Sequence, residues 1–144
     1  SEVMTPRSVV VMVRNEDKIT HTFLRALRDS GHSRFPVLGS EDPDDIVGIL
    51  YLRDLVAAEF DSVSEGCEDD FLTVNPKDRL DKVLNLILRN KLHMCIVQNE
   101  FGEFRGVITL EDVMEEILQR EVLDEDDEVE DMRKLALQQA KTDN

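Results

Sequence analysis

Tryptophan is absent from this chain, and aromatic residues make up 5% of its 144 positions, with one Tyr and six Phe. Any core built here is therefore aliphatic. Glycine is scarce as well, at six residues, and none falls in a G-x-G-x-x-G spacing, which excludes a glycine-rich phosphate cradle. No nucleophile elbow occurs either, so nothing points to an enzyme. The two cysteines, Cys67 in a polar stretch and Cys95 inside "HMCIV", are too few for a disulfide framework or a thiolate metal site. Unpaired thiols make a reduced, cytosolic setting the default. His21, His32 and His93 are scattered with no i, i+4 pair, so no histidine metal centre is expected. Basic residues are outnumbered, 17 Lys and Arg against 32 Asp and Glu, for a formal net charge of −15. That balance argues against DNA or RNA as a direct partner and disfavours contact with anionic lipid, because both require basic surface. The longest clean apolar run is "VVVMV" at 9–13, far below the roughly 20 residues of a membrane span. No signal peptide is recognisable. The chain opens at Ser1 and enters "EVMTPRSVVV" at once, as expected of a domain from a longer protein whose membrane part lies outside this sequence.

What the chain does have is a 41% hydrophobic fraction, enough for a packed core, and an internal repeat. "GILYLRDLVAAEF" (48–60) returns as "GVITLEDVMEEIL" (106–118), with Gly48 and Gly106, and Asp54 and Asp112, each 58 residues apart. Upstream, "SRFPVL" (33–38) matches "LHMCIV" (92–97), pairing Pro36 with Cys95, and "VMVRNEDKI" (11–19) matches "FLTVNPKDRL" (71–80). Each copy predicts the order β-α-β-β-α: strands at 9–13, 35–38 and 46–50, then at 71–74, 94–97 and 104–108. Leu80, Val83, Leu84, Ile87 and Leu88 recur at helical spacing, as Ile19, Phe23, Ala26 and Leu27 do more loosely. Turn formers in "GSEDPDD" (39–45) and "QNEFGE" (98–103) join the paired strands. Leu110, Val113, Met114, Ile117 and Leu118 place one apolar stripe on the second closing helix. One unit alone buries too little surface, so two are expected to pack about a pseudo-twofold axis as an α/β (α+β) fold, over 3–60 and 68–120. The remainder, 121–144, reads as a solvated acidic tail with a possible short helix at 132–141. Its run of acids does not make a calcium loop: Asp124, Asp126 and Glu128 fit the first positions, but Val129 stands where Gly is needed and Leu135 where Glu is needed.

The closing phrase of the second copy admits two readings. Thr109 ends a strand and starts a helix, where it makes a good N-cap, and Asp112 suits the positive helix end. In that reading the helices only bring chains together. Alternatively, the same N–H groups and hydroxyl attract phosphate while the Asp accepts from a sugar diol, a pairing suited to a ribose phosphate. Tyr51 replaces the hydroxyl in the first copy while Asp54 is kept, so the corresponding first pocket is altered.

Two such units, each closing on Gly, a strand end and Asp, resemble a tandem pair of CBS motifs, the Bateman module. More narrowly, "VMTPRSVVVM", "SGHSRFPV", "DDIVGILYLRDL", "HMCIVQNEFGEFRGVITLEDVMEEIL" and "VLDEDD" resemble the cytosolic CBS pair of the CorC/CNNM family of magnesium and cobalt transport proteins, some of them hemolysin-like. The resemblance covers about residues 3–127. It implies a regulatory adenine-nucleotide site, for AMP or ATP, in the cleft between the units. Carried over, the site residues are Thr5, Pro6, Ser33, Arg34, Pro36, Thr109 and Asp112. Asp112 would hold the ribose, Thr5 and Thr109 offer hydroxyls, Arg34 neutralises phosphate, and Phe35, Val107 and Ile108 flank the base. Plainer roles exist for some of them: Pro6 and Pro36 as strand-edge shapers, Arg34 as the partner of a surface carboxylate. Against a net charge of −15, a triphosphate is expected to bind chiefly with Mg²⁺. The resemblance further implies a homodimer through "LRDLVAAEF" and "LEDVMEEIL", and a place at the cytoplasmic face beside the membrane transport domain of a parent protein.

Overall fold

The chain's structure, a computed structural model, describes residues 3–142, and their side chains except those of 124–128, 131 and 138–142. The first unit runs β2 (Val13–Arg14), α1 (His21–Asp29), β3 (Arg34–Leu38), β4 (Ile46–Tyr51), α2 (Leu52–Ala57). The second runs β5 (Leu72–Val74), α4 (Leu80–Asn90), β6 (Met94–Gln98), β7 (Phe104–Thr109), α5 (Leu110–Thr142). A one-turn helix, α3 (Val63–Gly66), lies between them, and a two-residue strand, β1 (Thr5–Pro6), precedes both. The expected β-α-β-β-α order is thus present twice. Local chemistry repeats with it. Before α1, the Asp17 carboxylate accepts from Arg14 N–H at 2.9 Å; before α4, Asp78 accepts from Asn75 N–H at 2.9 Å. α1 is capped by Thr20, whose Oγ1 accepts from Phe23 N–H at 3.1 Å.

β2 pairs parallel to β3, and β3 antiparallel to β4; β5, β6 and β7 repeat the pattern, and β1 adds antiparallel to the free edge of β7. Side chains alternate across each strand. Phe35, Val37 and Leu50 face helices and pack with Leu27 and Leu55, while Cys95, Val97 and Ile108 pack with Val83, Ile87 and Val113. The inner faces meet through a third cluster, Ile46, Ile49, Tyr51, Met94, Ile96, Phe104 and Val107, which joins the units about their pseudo-twofold axis. A polar clamp reinforces it: Phe104 N–H donates to Asp44 Oδ1 at 2.9 Å, and Arg7 Nη1 lies 3.4 Å from the same oxygen.

Several expectations need correction. The strand expected at 9–13 is reduced to Val13–Arg14; Val10 and Met12 instead pack beside the inter-unit cluster. The match of Pro36 with Cys95 is one residue off. Pro36 pairs with Ile49 and Ile96 with Val107, so Pro36 corresponds to Ile96, Arg34 to Met94 and Ser33 to His93. A one-residue slip moves a side chain to the other face, and Cys95, like Phe35, faces the helices. The stripe on α5 splits: Val113 is buried and Leu110 and Ile117 pack beside it, whereas Met114 and Leu118 are 41% and 58% exposed. Finally, α5 runs unbroken to Thr142 instead of ending before an acidic tail. No Gly or Pro occurs after Gly106, so nothing in the sequence stops the helix. The side chains of Asp124, Asp126 and Glu128 lie outside the described residues.

Candidate functional site

Where the inner sheet faces part at the end of β7, a cleft of about 180 Å³ opens. Both units line it. Gly31, His32 and Ser33 come from the α1–β3 connection, Arg34 and Pro36 from β3, Met94 from β6, Val107 and Thr109 from β7, Thr5 from β1, and Val10 and Val11 from the segment after it.

The sequence positions each of these by simple means. Arg34 and Pro36 alternate with helix-facing Phe35 and Val37, which directs them inward. Thr5 reaches the site because β1 crosses directly over Gly106, its ladder partners being Val107 for Thr5 and Gly106 for Pro6. A Cβ on Gly106 would collide with the Thr5 carbonyl oxygen, so only glycine lets the strand lie so close. Thr109 stands at the β7–α5 junction, and its Oγ1 accepts from Asp112 N–H at 3.2 Å. The hydroxyl hydrogen remains available to a ligand, so capping and binding are compatible in one residue.

Electrostatically, the lining of the cleft is cationic although the chain as a whole is acidic. Among the described residues lining it, Arg34 carries the positive charge and no carboxylate is present. The Arg34 side chain is 23% exposed, and its Nη2 lies 3.8 Å from Glu111 Oε1 in the first turn of α5. It therefore both lines the cleft and has the carboxylate partner that its sequence context allowed.

Of the seven residues carried over from the resemblance, Thr5, Ser33, Arg34, Pro36 and Thr109 are brought together. Pro6 is exposed and lies at the strand edge instead. Asp112 lines a neighbouring cavity of about 130 Å³ with Val3, Glu115, Glu116 and Gln119. Val107 lines the cleft, but Phe35 and Ile108 sit on the opposite strand faces, buried against helices, and cannot flank a ligand. Val10, Val11, Gly31 and Met94 were missed, for they carry no chemical signature. His32 was also missed, although the "SGHSRFPV" segment contained it.

At the corresponding place in the first unit the side chains differ. Tyr51 takes the position of Thr109, is 5% exposed, and packs in the inter-unit cluster. Burial, with Glu68 nearby, raises the Tyr51 hydroxyl above its ordinary pKa. Arg53 stacks 4.8 Å from the Tyr51 ring centre and pairs with Asp54 at 3.8 Å. A larger cavity, about 580 Å³, lies between α1 and the segment after α2, lined by Thr20, His21, Leu24, Arg28 and Val56–Asp61 among others. None of the seven candidates lines it, so size alone does not select the site. Among the described residues no group of three His, Cys, Asp or Glu is placed to hold a metal ion, and no helix is long and apolar enough to cross a membrane.

Comparisons with known proteins bear on the family and the fold. The CBS domain family matches twice, at residues 1–61 and 65–119. A UPF0053 protein of Mycobacterium tuberculosis is 38% identical over 136 residues, 90% of this chain and 31% of that protein. The magnesium and cobalt efflux protein CorC of Escherichia coli is 35% identical over 135 residues, 91% of this chain and 45% of that protein. The chain thus spans less than half the length of these relatives. A solved CBS domain of a bacterial CNNM/CorC family Mg²⁺ transporter, in complex with ATP, superposes with a TM-score of 0.73 at 36% identity, covering 81% of this chain and 84% of that one.

Proposed function

The chain belongs to the CBS domain family, as a tandem pair of the CNNM/CorC kind, and from that premise we propose that its cleft is a regulatory adenine-nucleotide site. One observation carries the reading: Thr5, Ser33, Arg34, Pro36 and Thr109 converge on a single cleft from both units. Arg34 offers the guanidinium fork for phosphate. Thr5, Ser33 and Thr109 offer hydroxyls, and Pro36, Met94, Val10, Val11 and Val107 offer apolar walls for the base. Asp112, three residues along α5 from Thr109, is the proposed acceptor for the ribose hydroxyls. The ATP complex of the solved relative supports the ligand class. Mg²⁺ has no carboxylate cage among the described residues, so it is proposed to arrive with the phosphates of ATP.

The role proposed is sensing, not catalysis. A ligand gripped by both units favours one of their arrangements over another, which is how such a ligand acts at a distance. In a longer CorC-like protein that change would pass to a membrane transport domain, with this pair at the cytoplasmic face and dimerised through α2 and α5. A ligand-free interaction module is the competing reading, favoured by the Thr109–Asp112 cap at 3.2 Å.

Calorimetry with AMP and with ATP, with and without Mg²⁺, separates the two. Native chain should bind AMP and Mg-ATP, and Asp112→Ala should weaken both by about tenfold or more. An absence of heat and of thermal shift with every nucleotide would leave only the interaction module.

A further inference from the structure

Independently of the nucleotide cleft, we propose that the distal half of α5 is a docking strip for a basic amphipathic helix of another polypeptide. The second CBS match ends at residue 119, whereas α5 continues to Thr142. Along that continuation Val122, Val129 and Met132 are 55%, 48% and 69% exposed. Together with Glu125 and Ala136 they recur at alternating steps of three and four, in the order Val122, Glu125, Val129, Met132, Ala136. That spacing places these positions on one face of the helix, as in the seam of a two-helix coiled coil. The seam spans roughly 21 Å. A groove of about 490 Å³, lined by Glu115, Leu118, Gln119, Val122 and Leu123, opens at its near end.

Charge decides what covers it. Residues 121–131 hold eight acids in eleven positions, and Glu125 stands in the seam itself. Over 120–142 those eight acids face four bases, Arg120, Arg133, Lys134 and Lys141, which leaves −4 on each copy. A second copy of the chain would therefore bring two acidic seams together and bury a Glu position without a cation. Like charges also crowd α5 from within. Glu121 and Glu125, Asp124 and Glu128, Asp126 and Glu130, and Asp127 and Asp131 stand four residues apart, a spacing at which like charges destabilise a helix. A basic helix reverses both effects. Its Lys and Arg neutralise the acidic flanks and the Glu125 position, while its apolar residues pack on Val122, Val129 and Met132. Nucleic acid and anionic lipid are repelled by the same charge.

The strip is separate from the other surfaces assigned above. Dimerisation is proposed through α2 and the first turns of α5, ahead of Val122. Thr109, at the β7–α5 junction, lies about 20 Å back along the helix from Val122. A docked helix thus neither fills the nucleotide cleft nor needs it.

The test is fluorescence anisotropy, at about 0.15 M salt, of a labelled synthetic helix of roughly three heptads. It carries Leu at the seam positions, Lys on the flanks and one Lys placed to meet Glu125. A scrambled peptide of the same composition has the same charge and no seam. Native chain should bind the ordered peptide about tenfold tighter than the scrambled one or better. The double variant Val129→Ser, Met132→Ser should lose about tenfold, because two apolar side chains no longer enter the contact. Leu123→Ser, exposed but turned about 100° from Val122 around the helix, should match native chain. Val129, Met132 and Leu123 are all exposed, so the variants should fold. Equal binding of ordered and scrambled peptides overturns the strip, since charge attraction alone would then account for it, and so does an equal loss in Leu123→Ser. If sedimentation shows that the double variant has lost a self-association the native chain possesses, a second copy is the occupant and the basic helix is overturned.

Discussion

The molecule contains the same backbone junction twice, once at Thr109, which lines a cleft, and once at Tyr51, which packs into the inter-unit cluster. The hairpin ladders match residue for residue, down to an irregularity between Val37 and Leu38 in one and between Val97 and Gln98 in the other. Each glycine of the closing phrase admits a crossing segment from ahead of the other unit. Gly106 lies under Thr5, and Gly48 lies under Glu68, whose carbonyl accepts from Ile49 N–H at 2.8 Å. What differs is chemistry at equivalent positions: Thr109 against Tyr51, Arg34 against Met94, Ser33 against His93. One side keeps a hydroxyl, a cation and space. The other has a buried ring stacked under Arg53, and the His93 Nδ1 is buried without a hydrogen-bond partner. The difference teaches that glycine and ladder preserve the fold, while three side chains decide whether a junction holds a ligand or fills itself.

The strongest challenge to that contrast is to empty the filled junction. Tyr51→Thr gives the first unit the hydroxyl of the second. Tyr51 is 5% exposed in the inter-unit cluster, so truncation should destabilise the fold by about 3 kcal/mol or more, read by urea denaturation. It should not create a second nucleotide site, because the position equivalent to Arg34 is Met94 and supplies no cation. Calorimetric stoichiometry should remain one per chain; a stoichiometry of two would mean that the ring alone closes the first junction.

A smaller effect separates the two glycines. Gly106→Ala drives a Cβ against the Thr5 carbonyl, and Gly48→Ala brings one to 2.7 Å from the Glu68 carbonyl oxygen. Both should lose about 1–3 kcal/mol, the usual range for overpacking. Only Gly106→Ala should also weaken AMP binding, since β1 carries Thr5 into the cleft. Equal loss of AMP binding in both variants would show that the glycines act through general stability.

The glycines also mark how far the sequence could be read. Their 58-residue spacing exposed the repeat, and the helical spacing of Val83 and Ile87, both buried, located α4. Five cleft residues were legible as motif members, Thr5, Ser33, Arg34, Pro36 and Thr109. β1 was not legible, because two residues carry no periodicity and their partner lies about a hundred positions away. The one-residue error at Cys95 arose because β3 and β6 are apolar on both faces, which removes the alternation that fixes register. Asp112 was expected in the cleft from its spacing to Thr109 and from the family resemblance, and neither determines which of two adjoining cavities a side chain lines.

The smallest effect at neutral pH concerns the outer faces, and it grows only in alkali. Phe35 and Cys95 hold equivalent, fully buried positions against the helices, but only the second unit's residue can titrate. Burial pushes the Cys95 thiol up to about 11. The unfolded chain loses that proton near the ordinary thiol value, about 8.5, while the folded chain keeps it. Between those values the unfolded state binds fewer protons, so stability is full below about pH 8.5 and is lost as pH rises through the folded value. The loss attributable to Cys95 should be roughly 3 kcal/mol by pH 11. Cys95→Val fills the site with a residue that does not ionise. Urea denaturation of native and variant chains between pH 8 and 11 should therefore show the native curve falling more steeply. Parallel curves would mean that the thiol is not protonated at the expense of stability, and that the two outer cores respond to pH alike despite their different residues.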